Sequence, residues 1–239
     1  THAWWKDFRG FYKGAKADAL TVGEVWSNNS EVVKYLQGDE LDLAFNFDLA
    51  AAFVRNAGYG TAREIERTLE ASTRAFPANG FATFLTNHDQ NRTMSVLGDD
   101  LDKAKLAASL LLTSPGVPFL YYGEEIGMLG TKPDENIRRP MQWSGEANAG
   151  FTSGVPWRAP EGDYQVKSVA SQTSNPDSLL SHYRALIRLR NEHAALRVGE
   201  YLPVQTGSNA VLAFLRVSQE EIVLAVINLS KRPVAEYAL

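Results

Sequence analysis

The sequence predicts an α/β layer or barrel followed by an antiparallel β segment, on three observations. Apolar strand-like runs alternate with helical patterns four times, and polar or acidic residues recur at the C-terminal end of each run. After Glu192 the apolar period changes from helical to two. Strands alternating with helices pair in parallel through right-handed crossovers.

The opening segment, WWKDFRGFYKG, reads as a helix and a loop. The first strand is expected over residues 19–25 (ALTVGEV), with a short helix at 31–36. The second covers 41–47 (LDLAFNF) and leads into helices at 49–57 and 62–75. The third covers 81–86 (FATFLT), followed by a helix at 100–112. The fourth covers 118–122 (PFLYY), and its helix at 178–192 comes much later. In that helix Leu179, Tyr183, Leu186, Ile187 and Leu189 are expected to form one apolar stripe. Residues 124–176 are rich in Gly, Pro, Asn and Ser, the composition and length of a lid or substrate loop. Residues 211–217 and 222–229 alternate as antiparallel strands joined by Ser218-Gln219-Glu220.

The 239 residues carry 24 basic and 28 acidic side chains, a net charge of -4, with 44% hydrophobic and 22% charged residues. That is the balance of a soluble globular chain and excludes intrinsic disorder. A mildly acidic chain gives no electrostatic reason to expect nucleic acid as a partner. The absence of cysteine excludes disulfides and thiolate metal sites and leaves the redox compartment open. Residues 1–6 lack the pattern of a signal peptide. The uncharged run 106–123 is broken by Pro115, Gly116 and Pro118, so no membrane span is expected. Sequons occur at Asn28, Asn91 and Asn228, the second where a glycan would obstruct the candidate site.

Glu24, Asp48, Asn87-His88-Asp89 and Glu124-Glu125 fall at or just beyond the ends of the four strands. That edge binds ligands in parallel α/β proteins. Any one of these residues could merely cap the next helix. Four such ends together, with a histidine among them, favour a site. Gly23-Glu24-Val25-Trp26 sets a carboxyl among apolar neighbours, so partial burial is expected, an environment suited to a general acid. Trp26 offers a flat face on which a sugar ring could stack. Paired carboxyls from different strands are the minimum for glycoside hydrolysis.

GEVW, FLTNHDQNR, PGVPFLYYGEEIGM and RRPMQWSGEANAGFTSGVPW, in this order and spacing across residues 19–192, resemble the α-amylase family of retaining glycoside hydrolases. The resemblance implies the second half, strands five to eight, of a TIM (β/α)8 barrel over residues 1–195. The segment 196–239 then resembles part of the family's C-terminal antiparallel β-sandwich. Glu24 matches the general acid/base. Asp89 matches the carboxylate that fixes sugar hydroxyls and stabilises the transition state, and His88 matches a substrate-binding histidine. Arg138 matches an arginine closing the pocket in exo-acting members, with a solvated loop arginine as the alternative. Trp26 matches no invariant position, so its role rests on stacking. Tyr121, Tyr122 and Glu125 read as structural, while Met141 and Trp143 stay open between loop core and sugar contacts.

The family's nucleophile is an aspartate on the fourth strand, with an arginine two residues before it. No such block precedes Glu24, where only Asp7 and Asp18 occur. The third-strand block is missing as well. The expectation is a back half-barrel fragment, inactive alone, whose open edges invite self-association. The implied substrates are α-glucan or α-glucoside oligosaccharides. The RRPMQW and AGFT blocks most resemble members that cut short α-glucosides. A transglycosylase or disaccharide isomerase of the same family remains open, as does a non-catalytic scaffold or sugar-binding module, although intact Glu24 and Asp89 argue against the latter. No cofactor is expected here, since any calcium of the intact enzyme would find its usual ligands upstream. An unrelated nucleotide-binding fold lacks its glycine-rich loop.

Overall fold

Four short strands, β1 (Val22–Gly23), β2 (Leu43–Phe45), β3 (Phe81–Thr83) and β4 (Val117–Pro118), lie side by side in chain order, every neighbouring pair parallel. They belong to a computed structural model, which describes residues 1–238. Ala44 pairs with Gly23 on one side and Phe81 on the other, and Ala82 then pairs with Val117. Each strand is shorter than the apolar run that encodes it, because the chain leaves the sheet before the site residues. Gly116, at φ +97°, lets β4 approach β3, since a Cβ there would lie 2.7 Å from Phe81 and 2.8 Å from Thr83.

The helices alternate with these strands as expected. The chain enters through α1 (His2–Ala15), tied down by the Asp42 carboxylate. Asp42 accepts from Arg9 at 2.7 Å, from Tyr12 at 2.9 Å and from the Thr21 amide at 2.9 Å. Burial pulls this carboxyl up, but the hydrogen bonds from Arg9, Thr21, Tyr12 and Lys13 outweigh it and hold it well below the carboxylate range.

After β1, Asn28 caps α2 (Asn29–Val32), and after β2, Asn46 caps α3 (Phe47–Tyr59) by accepting from the Leu49 amide. Next comes α4 (Arg63–Ala75); beyond β3 lie α5 (Thr93–Val96) and α6 (Leu101–Thr113), the latter capped by Asp100. Leu49 and Phe53 of α3, Ile65 and Leu69 of α4, and Leu110 and Leu111 of α6 form the fully buried centre of the core.

Residues 124–176 are structured where the sequence suggested an extended loop. They contain a 3-10 turn (Glu124–Ile126), α7 (Asp134–Ile137), a second 3-10 turn (Ala147–Gly150) and α8 (Val169–Thr173). Ile126, Met128 and Met141 close a small second core against Leu180. Met141 is therefore loop core, whereas Trp143 is exposed.

In α9 (Leu179–Glu192) the buried face is Leu179, Leu180, Tyr183 and Arg190. Ile187 and Leu189, expected in the apolar stripe, are exposed. Arg190 takes the inward place instead and donates to the carbonyls of Leu112, Ser114 and Gly116, at 2.9, 3.0 and 2.6 Å. These bonds satisfy the end of α6 and the approach to β4.

After α10 (Ala194–Val198), strands β5 (Glu200–Val204), β6 (Val211–Val217) and β7 (Ile222–Asn228) form an antiparallel sheet in that order. The sequence indicates β6 and β7 but not β5, whose Pro203 argues against a strand; at the sheet edge a proline is tolerated. Arg216 of β6 is fully buried and donates to the carbonyls of Thr113 and Gly199, both at 2.9 Å, which docks this sheet on α6. No helix among the described residues is long and apolar enough to cross a membrane.

Candidate active site

Glu24 follows β1 directly, and its side chain is exposed where partial burial was expected. The reason is its position on an edge strand, with the carboxylate turned toward Trp26. Trp26 Nε1 donates to Glu24 Oε1 at 2.8 Å. The indole is 61% exposed, and its ring lies 4.4 Å from Phe47 at a tilt of 41°. Phe47 in turn meets Phe84 edge to face, and Phe84 meets Phe45, so a row of aromatic rings crosses the strand ends. Asp48 points elsewhere: it is an exposed first-turn residue of α3.

The β3 end is built differently. Phe84, Leu85 and Thr86 are buried, and Asn87-His88-Asp89 then emerges. The Asp89 amide donates to Asn87 Oδ1 at 3.0 Å, a local turn that sets the carboxylate outward. Arg138, 49 residues later, donates from Nη2 to Asp89 Oδ1 at 2.5 Å and from Nε to the His88 carbonyl at 2.8 Å. The same Nη2 reaches Asp134 Oδ2 at 2.9 Å. His88 Nε2 stands 3.6 Å from Asp89 Oδ2. Three of the five candidate residues therefore form one cluster, in which Arg138 is held by three acceptors while its side chain stays partly exposed. Asp134 escaped the sequence reading, although its place four residues before an arginine was a usable signal. A hydrogen bond from Lys132 holds the Asp134 carboxyl below its usual range.

Glu24 and Asp89 share the C-terminal edge of the sheet, two strands apart, so roughly 10 Å separates the strands that carry them. Glu124 does not join them. It is 7% exposed and accepts from Tyr183 Oη at 2.7 Å and from Thr93 Oγ1 at 3.0 Å. Burial pushes its carboxyl up to about 7. With both oxygens engaged inside the fold, it cannot serve as a nucleophile toward a sugar. Among the described residues no group of three or more His, Asp or Glu side chains is placed to hold a metal ion.

An edge carrying one carboxylate beside an indole, and another beside a histidine and an arginine, can protonate a leaving oxygen and bind vicinal hydroxyls. The family model described as "Alpha amylase, catalytic domain" matches residues 1–199. Alpha-amylase 3 of Dictyoglomus thermophilum is 35% identical over 234 residues, covering 95% of this chain and 46% of that protein. The oligo-1,6-glucosidase of Heyndrickxia coagulans is 28% identical over 274 residues, covering 92% and 49%. The crystal structure of alpha-amylase from H. orenii superposes with a TM-score of 0.85 at 38% identity, covering 98% of this chain and 48% of that one. The chain thus spans about half the length of the relatives it matches.

Proposed function

This chain belongs to the α-amylase family of glycoside hydrolases, and on that premise we propose that it supplies the acid/base half of a retaining α-glucosidic active site. Residues 1–195 then form strands five to eight of the barrel, and 196–239 form part of the C-terminal β domain. The observation that carries this reading is the Asp89, His88 and Arg138 cluster on the same sheet edge as Glu24. The open edges of β1 and β4, and the half-length match to relatives, support it.

In this mechanism Glu24 protonates the glycosidic oxygen as a carboxylate nucleophile bonds to the anomeric carbon and the glycosidic bond breaks. The ionised Glu24 then takes a proton from the water that displaces that carboxylate. Trp26 holds the Glu24 carboxylate by its N–H and gives the leaving sugar an apolar face. Asp89 is fixed through Oδ1 by Arg138, so Oδ2, together with His88, is free to bind hydroxyls of the sugar that develops oxocarbenium character. The nucleophile comes from outside this chain. Short α-glucosides are the favoured substrates, in keeping with the likeness to an oligo-1,6-glucosidase. Without its complement the chain pairs its open edges with a second copy, so sedimentation at tens of micromolar should give a dimer or larger; a clean monomer would remove that part of the proposal.

The test is a chimera in which the portion of alpha-amylase 3 that this chain leaves unmatched is joined to it. Maltotriose and isomaltose should be hydrolysed by the chimera and left intact by the chain alone. Turnover by the chain alone, abolished in Glu24→Gln, would overturn the half-site reading. Isomerised disaccharides among the products would reassign the chemistry to transglycosylation. A chimera that folds and binds maltotriose without turnover would favour a sugar-binding module.

A further inference from the structure

Arg138 touches Asp89, and the backbone on both sides of Arg138 is held by two phenols. Tyr121 Oη donates to the Ile137 carbonyl at 3.0 Å, and Tyr122 Oη donates to the Arg139 carbonyl at 2.7 Å. The two bonds straddle Arg138, which lies just past α7, where only one amide bond back to Asp134 continues the helix. The tyrosine rings meet edge to face, 4.8 Å between centroids. Over both of them sits the Arg92 guanidinium, 4.6 Å from the Tyr121 centroid and 4.8 Å from that of Tyr122.

Arg92 is buried, and its Nη1 donates to the Tyr122 carbonyl at 2.7 Å. Nε and Nη2 find no acceptor among the described residues, so the two rings are the principal neighbours that hold the cation. Arg92 lies three residues after Asp89, and its amide donates to the Gly130 carbonyl at 2.9 Å. The contacts therefore close a ring. Asp89 leads along the chain to Arg92, Arg92 clamps the two tyrosines, the tyrosines fix the peptides flanking Arg138, and Arg138 returns to Asp89 and His88. Fixing both flanking peptides limits where the arginine fork can point, and a charge-assisted bond of this kind depends on that geometry.

We propose that Tyr121 and Tyr122 are positioning residues whose hydroxyls aim Arg138 at Asp89 and so set the orientation of that carboxylate toward the sugar. This rests on the proposed function for the carboxylate's purpose, but the brace itself is testable without any turnover. Tyrosine to phenylalanine removes the hydroxyl and keeps the ring against Arg92.

The experiment is 15N NMR of the arginine Nε–H groups in the intact chain and in Y121F, Y122F and the double variant, with Tm measured alongside. In the parent, the Arg138 Nε–H is engaged by its 2.8 Å bond to the His88 carbonyl, which slows its exchange. The double variant should exchange that proton with solvent at least tenfold faster while its Tm stays within a few degrees. Each single variant should fall between. If the folded double variant keeps the parent exchange rate, the tyrosines only pack and the proposal is overturned. In the chimera, the same double variant should lower kcat/KM for maltotriose about tenfold. A chimera without activity would count against the proposed function alone, since the exchange data read the brace separately. Should the double variant fail to fold, Y122F by itself decides, as unchanged exchange there overturns the role of the shorter bond.

Discussion

The two ends of the candidate site are built to different standards. Asp89 stands on a buried strand continuation, inside a ring of contacts that runs through Arg92, two tyrosines and Arg138. Glu24 follows an edge strand of two residues, and its side chain accepts from one exposed indole. The difference teaches where preorganisation resides. The Asp89, His88 and Arg138 end is completed by this chain's own packing. Glu24 takes its local geometry from Trp26 alone among the described residues, beside a β1 whose outer edge is open.

Substitutions at each end sharpen this contrast. The largest effect is expected from Glu24→Gln in the active chimera. Turnover of maltotriose should fall by about 10²–10⁴, the usual range for losing a general acid, with little change in binding. An equal loss in affinity would mean that Glu24 mainly holds substrate.

Next comes the interior of the braced end. Glu124 titrates near 7 in the fold against an ordinary 4.5, so the folded state holds an extra proton between those values. Its contribution to stability is complete below about pH 4.5 and is lost as pH rises through 7. Relative to Glu124→Gln, the parent should therefore lose up to about 3 kcal/mol across that window in denaturant titrations. A difference that stays flat with pH would show that Glu124 is ionised in its pocket.

The weaker end has its own anchor. Asp42→Asn removes the charge that gathers Arg9, Tyr12 and the Thr21 amide just before β1, and should cost roughly 2 kcal/mol at neutral pH. Loss of α1 helicity should accompany it. The smallest expected effect is Arg138→Lys, where a point charge replaces a fork. Affinity for maltotriose should weaken about tenfold, or about 1.4 kcal/mol, with the fold intact. If Arg138→Lys behaved as the parent, the fork geometry would be irrelevant and the contrast between the ends would narrow.

Much of this was legible in the sequence where apolar runs repeat. The four parallel strands, the long helices and β6 with β7 all follow from periodicity. Strand ends did not, because Val25 and Phe119 lie beyond β1 and β4 yet are as apolar as the residues that pair. Ile187 and Leu189 were misassigned because nothing local reveals that Arg190 can face inward once three carbonyls await it. The helices within 124–176 have four or five residues, too few to show a period. At the site, Glu24, His88 and Asp89 were marked by their places at strand ends and Arg138 by the family-like blocks, whereas the contact between Asp89 and Arg138 spans 49 residues and has no local signature. The expected burial of Glu24 failed for the same reason, since burial belongs to neighbours that a strand's own sequence does not name.

The most direct measurement is to trap the glycosyl intermediate. The chimera would be treated with a 5-fluoro-α-glucosyl fluoride, digested and mapped by mass spectrometry for the labelled carboxylate. The expected label lies on an aspartate of the segment supplied by alpha-amylase 3, with none on peptides 1–239. A glycosyl ester on Asp48, Asp89 or Glu124 would contradict the assignment of this chain to the acid/base half.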